Sequence, residues 1–213
     1  MKLRQLLEIV GDAPVFETGL LLAGDVDPDD IRRQLSRWTR TGQIYQLRRG
    51  CYALAPPLRK VKPHPFVIAN RLVRASYVSC ESALAHHGMI PEYVPVTTSV
   101  TTRRPGTWDT PLGRFTFHHV QIGFFRGYEW IEVDANQDAF IAAPEKALLD
   151  LIYLRPGADS PAFLTELRLQ NLEQLSLEGL HYQADLDGSP KLRRAAAIVD
   201  KLAQQEAEEY VKL

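Results

Sequence analysis

Four prolines within twelve residues decide how this chain can be divided. The stretch APPLRKVKPHPF, Ala55 to Phe66, carries Pro56, Pro57, Pro63 and Pro65. Proline fixes φ and has no backbone N–H, so neither a helix nor a central strand can run through such a segment. The stretch is expected to be a stiff, basic linker over 57–63, separating residues 1–56 from residues 64–213. At 213 residues the chain is long enough for two modest domains.

Charge divides the chain at nearly the same place. Residues 1–74 hold 13 Lys/Arg against 7 Asp/Glu, and residues 75–213 hold 12 against 19, within a net charge of −1. Between Asp30 and Glu81 lie 11 basic residues and no acid. A basic block beside an acidic remainder points to two units with different partners, and a polyanion suits the first. A hydrophobic content of 45% is that of an ordinary folded protein. No apolar run approaches the roughly 20 residues needed to cross a bilayer. The start, MKLRQLLEIVGDAPVF, has too short an apolar stretch for a signal peptide. A cytoplasmic protein with no membrane partner is expected, its two cysteines, Cys51 and Cys80, reduced and without a CxxC motif.

Local patterning predicts three helices and a hairpin in the first unit. Leu3, Leu6, Leu7 and Val10 recur at helical spacing up to Gly11. A short helix is expected from Thr18 to Ala23 with Thr18 as its cap. Asp27 caps a third helix, with Pro28 at its first position, and Gly42 closes it. QIYQLRRGCYAL then reads as two short strands around Arg49-Gly50. The second unit predicts a helix at 65–75 and another at CESALAHH, stopped by Gly88. Strand-like runs follow at VTTSVTT, RFTFHHVQI, YEWIEV and AFIAA, then helices at PEKALLDLIYL, 161–169 and 190 to about 210. The expected fold class is α+β: an N-terminal winged helix-turn-helix followed by a mixed α+β C-terminal domain.

The third helix carries the functional signal. At about 100° per residue, Ile31, Leu35 and Trp38 form one stripe, while Arg32, Arg33, Ser36, Arg37 and Arg40 share an arc of about 140° on the opposite side. The apolar stripe must pack inward, so the arginines must face out. Like charges such as Arg33 and Arg37 repel at (i, i+4), and an anionic partner would turn that repulsion into affinity. Helix, turn, helix and hairpin is the order in which a winged helix places its recognition helix in the major groove, where arginine reads guanine edges. Arg48, Arg49 and Gly50 form the expected wing tip, and Thr18 could donate to a phosphate. The bland alternative for the arginine face is a solvated helix surface.

With these residues in view, the chain resembles the AbiEi family of antitoxins from type IV toxin–antitoxin systems. The resemblance rests on LSRWTRTGQIYQLRRGCYAL (Leu35 to Leu54), YVSCESALAHHGMIP (Tyr77 to Pro91) and FIAAPEKALLDLIYL (Phe140 to Leu154). It implies an N-terminal winged helix that represses its own operon. It also implies a C-terminal domain that counteracts a nucleotidyltransferase-like toxin encoded beside it. Operator DNA and that toxin are the implied partners, with two copies of the chain expected on each operator.

The second unit offers no pattern of catalytic residues. His86-His87 and His118-His119 are adjacent pairs that cannot chelate alone, and no spacing completes a zinc site. No phosphate-cradling glycine loop or serine elbow is present. Glu132 and Asp134 are expected on one strand face, as a Mg²⁺-binding pair requires, but the Glu-x-Lys spacing of common nuclease cores is missing. No enzymatic activity, cofactor or metal is expected. The competing functions are a regulator whose second domain senses a ligand and, further off, a DNA-targeted nuclease. Lys146, Asp150 and Tyr153 form a second stripe on PEKALLDLIYL and, with Arg103 and Arg104, are candidates for a partner-facing or RNA-facing surface. The bland reading of that stripe is a solvated face with an (i, i+4) ion pair.

Overall fold

The structure is a computed structural model that describes residues 1–24 and 26–211, with side chains described to residue 206. The fold is mixed α+β. Two apolar cores organise it, and they do not divide cleanly at the prolines.

The smaller core belongs to residues 1–58. Helix α1 (Leu3–Val10) buries Leu6 and Val10. A two-residue strand β1 (Phe16–Glu17) follows, which local patterning does not predict. Helix α2 spans Thr18–Leu21. Thr18 is therefore its first residue, and Glu17 occupies the cap position where Thr18 was expected. The reason is tertiary: the Thr18 N–H donates to the Gly50 carbonyl at 3.0 Å, extending the pairing of β1. Helix α3 (Pro28–Arg40) begins as predicted, with the Asp27 carboxylate accepting from the Asp29 N–H at 2.9 Å. It ends where Gly42, at φ +72, turns the chain so that Gln43 N–H reaches the Trp38 carbonyl at 2.9 Å. Ile31, Leu35 and Trp38 are each at most 2% exposed, and burial of such side chains stabilises by about 1.5–3 kcal/mol apiece. Strands β2 (Ile44–Arg48) and β3 (Cys51–Leu54) form the expected hairpin, and the sheet order is β1-β3-β2.

The larger core surrounds a six-stranded sheet. Helix α4 (Pro65–Leu72) leads into strand β4 (Ser76–Val78) and helix α5 (Cys80–His86). The remaining strands are β5 (Val96–Thr101), β6 (Gly106–Thr110), β7 (Gly113–His119), β8 (Tyr128–Asp134) and β9 (Gln137–Ala142). They lie in the order β6-β7-β5-β4-β9-β8, with β4–β9 and β5–β7 parallel. Helices α6 (Pro144–Leu154), α7 (Pro161–Glu166), α8 (Leu177–Leu186) and α9 (Pro190–Val211) complete the chain. Strands β4 and β6 and helix α8 are additions to the sequence-based reading. No helix among the described residues is long and apolar enough to cross a membrane.

The two units are joined by more than the linker. Val15, Leu47, Cys51 and Ala53 belong to the same buried cluster as Ile68, Ala69, Leu72 and Val73. At the junction Arg74 pairs with Glu17 at 2.6 Å.

Candidate nucleic-acid interface

The exposed flank of α3 and the β2–β3 hairpin enclose a concave surface. It is lined by Thr18, Arg32, Ser36, Thr39, Arg40, Gln46, Arg49, Gly50 and Tyr52, over a volume of about 600 Å³. Six of these were expected from sequence. Thr39, Gln46 and Tyr52 were not. Gln46 had no legible signal, since strict alternation would place it with buried Ile44, and an irregularity in the pairing between Gln46 and Arg48 leaves it exposed instead. Helical geometry explains which arginines gather here. Arg32, Ser36 and Arg40 lie on the flank nearest the hairpin, whereas Arg33 and Arg37 are exposed but do not line the concavity.

Acids moderate the charge unevenly. Arg32 pairs with Asp29 at 2.7 Å, and Arg33 lies 3.8 Å from Asp30 and 3.9 Å from Asp27. These pairs are exposed and each is worth under about 1 kcal/mol. Arg37, Arg40 and Arg49 have no acidic partner among the described residues. The unpaired charge therefore sits at the C-terminal end of α3 and at the hairpin tip.

The hairpin tip separates its two arginines. Gly50 has φ +82, a conformation that favours glycine, and it folds the tip over Thr18. Arg49 points to solvent on the concave side. Arg48 instead bonds the Arg71 carbonyl through Nη2 at 3.2 Å and approaches Glu17 at 3.9 Å. It was expected beside Arg49 at a phosphate, and its guanidinium is instead engaged at the junction with the larger unit.

The second candidate surface is corrected by burial. Lys146 is 1% and Asp150 0% exposed, so neither belongs to a surface stripe. Their ion pair, 2.7 Å long, is enclosed, and the Ser79 hydroxyl donates to the other Asp150 oxygen at 2.5 Å. Burial pushes the Asp150 carboxyl above its usual range and the Lys146 ammonium below its own, and their pairing opposes both shifts. The Lys146 ammonium also sits 3.3 Å from the centre of the Phe124 ring. Tyr153 is partly exposed and stacks on Phe124 at 4.4 Å. Arg103 and Arg104 are exposed in the β5–β6 loop. The stripe expected to face a partner is thus divided between a buried polar network and a separate loop.

Two further features of the sequence have local roles. The Glu132 and Asp134 carboxylates accept backbone N–H bonds from Asn136 and Ala135 in the β8–β9 turn. Among the described residues, no group of three or more His, Cys, Asp or Glu converges as a metal site.

No protein-family model matches the sequence. No curated protein matches it either. Among solved structures, the chain is similar to the crystal structure of the RV2827C protein from Mycobacterium tuberculosis. The TM-score is 0.55 at 19% identity, over 92% of this chain and 75% of that one. At that identity the likeness concerns the fold alone.

Proposed function

We propose that this protein is a DNA-binding transcriptional repressor of its own operon and the antitoxin that counteracts a nucleotidyltransferase-like toxin. In this reading residues 1–56 form a winged helix-turn-helix, with α3 entering the major groove and the β2–β3 hairpin acting as the wing. The observation that carries it is the convergence of Arg32, Ser36 and Arg40 with Arg49 on one concave face. Arg40 and Ser36 would meet base edges, Arg49 a phosphate, and Thr18 and Gln46 would supply neutral donors between them. Arg48 would act indirectly, by holding the hairpin against the larger unit. The antitoxin half rests on the sequence resemblance to AbiEi proteins and on an α+β unit that would carry it without enzymatic chemistry or a cofactor. The protein would work in the cytoplasm, as two copies on paired half-sites.

The test is binding of the full-length protein to its own upstream DNA and to scrambled DNA across a salt series. Preference for its own sequence, with affinity falling steeply as salt rises, is the expected result. Equal and weak binding to both would leave only a basic surface. Arg40→Ala should cost about 1–3 kcal/mol and relax the choice of one base pair. Arg49→Ala should weaken binding to every sequence and reduce the salt slope by about 1. The doubly substituted full-length protein should still neutralise the toxin. Loss of neutralisation together with DNA binding would contradict the division of labour.

A further inference from the structure

A second cavity lies away from the concave basic face, between the C-terminal end of α4 and the edge hairpin β8–β9, with a volume of about 400 Å³. That is within the range of small-molecule sites, about 300–1,000 Å³. Its wall is aromatic and open: Trp130 is 55% and Phe140 39% exposed, their rings 4.5 Å apart. Tyr128 packs edge-on to Phe140 at 5.7 Å. Adjacent exposed aromatics in a concave site are a mark of ligand binding rather than of an ordinary solvated surface. Arg71 and Arg74 line the same cavity from α4 and the turn that follows it, and Asp138 lines it from β9.

We propose that this cavity binds a nucleoside monophosphate. The base would stack on Trp130 and Phe140, since any base offers a flat π face to such rings. Arg71 and Arg74 would hold the phosphate, which guanidinium groups match in geometry as well as charge. Asp138, an acceptor only, would take an N–H from the base edge. Asp138 also argues against a nucleic-acid strand: Glu132 lies directly across the sheet from it, and this acidic pair would repel a continuous run of phosphates. The site has a built-in competitor. Arg74 already pairs with Glu17 of β1, so a bound phosphate must share or displace that carboxylate. The proposal stands independently of whether the basic face binds DNA.

The experiment titrates the full-length protein with AMP, GMP, CMP and UMP, followed by calorimetry and tryptophan fluorescence. Of the three tryptophans, Trp38 is 2% exposed and Trp108 packs on Phe117 outside the cavity, so quenching that Trp130→Phe abolishes reports a base stacked on Trp130. At least one monophosphate should bind saturably, with ribose 5-phosphate and the free nucleoside each weaker by about tenfold. Trp130→Ala and Arg74→Gln should each weaken binding by about tenfold while the protein stays folded with at most a small drop in melting temperature, and Glu17→Gln should tighten it. Absence of calorimetric binding at millimolar nucleotide would overturn the proposal, as would binding that is indifferent to Trp130→Ala and Arg74→Gln. An oligonucleotide that binds more tightly through the same residues would replace the mononucleotide with a strand. A dimer in sedimentation that Trp130→Glu dissociates would assign the aromatic face to self-association instead.

Discussion

Lys146 and Asp150 show how far one pair of side chains can depart from its sequence context. Two charges taken out of water are tolerated because they meet each other and Ser79. Removing one partner leaves the other buried and uncompensated, which costs about 3–5 kcal/mol. Asp150→Ala should therefore lower the urea midpoint sharply, and Lys146→Met combined with Asp150→Leu should recover much of the loss. A double variant no more stable than the single one would mean that the pair is not what the surroundings require. Tyr77, fully buried, faces the Asp150 carboxylate, and burial together with the Asp150 charge raises its pKa. The cysteines follow the same rule of burial. The Cys51 thiol is pushed up to about 11 by desolvation, and desolvation also raises Cys80, which is 2% exposed. Neither should react with iodoacetamide at neutral pH until the protein is unfolded, and mass spectrometry of the folded protein would check this.

Among the elements, α3 was the most legible in sequence and β6 and α8 the least. The bounds of α3 are written in residues that act within one turn: Asp27 accepts from Asp29, and Gly42 supplies the left-handed turn that ends the helix. Its inward stripe follows from spacing alone. Leu35→Ala should destabilise by about 2–5 kcal/mol, read by denaturant titration, because the side chain is 1% exposed in the small core. A loss under about 1 kcal/mol would show that the core there repacks freely. Strand β6, GTWDT, has only one large apolar residue and becomes a strand because β7 pairs with it from Gly106 to Thr110. Helix α8 carries Gly179 within its first turn, a poor helix former, and is stabilised by the Ser176 hydroxyl accepting the Gly179 N–H at 3.0 Å. Its packing against α6 and α9 comes from elsewhere in the chain.

For the whole molecule, the prolines mark a change of direction more than a separation of cores. Val15, Leu47, Cys51 and Ala53 are buried with residues of α4 and the larger unit. Arg48 and Arg74 add polar contacts across the same junction. Unfolding should consequently be a single cooperative event, with far-UV circular dichroism and the fluorescence of a Trp108→Phe, Trp130→Phe variant, which keeps only Trp38, following the same curve. Two resolved transitions would show that the small core around Trp38 is independent. A shared core also places the hairpin rigidly on the larger unit, so an event at Arg74 has a direct route to β1.

What the sequence determined by itself was whatever depends on near neighbours: helix caps and stops, the alternation of strands, the side of α3 that faces outward, and the concentration of arginine before residue 50. These are settled over a turn or a strand length, so periodicity and cap chemistry suffice. Tertiary structure decided the matters that need distant partners. It turned Arg48 toward Arg71 while leaving Arg49 exposed, drew Asp150 to Ser79 across 71 positions of sequence, and set Trp130, Phe140 and Arg74 around one cavity. Each of these depends on which surfaces are removed from water when the sheet and helices pack. That burial is a property of the assembled fold, and no local pattern in the chain encodes it.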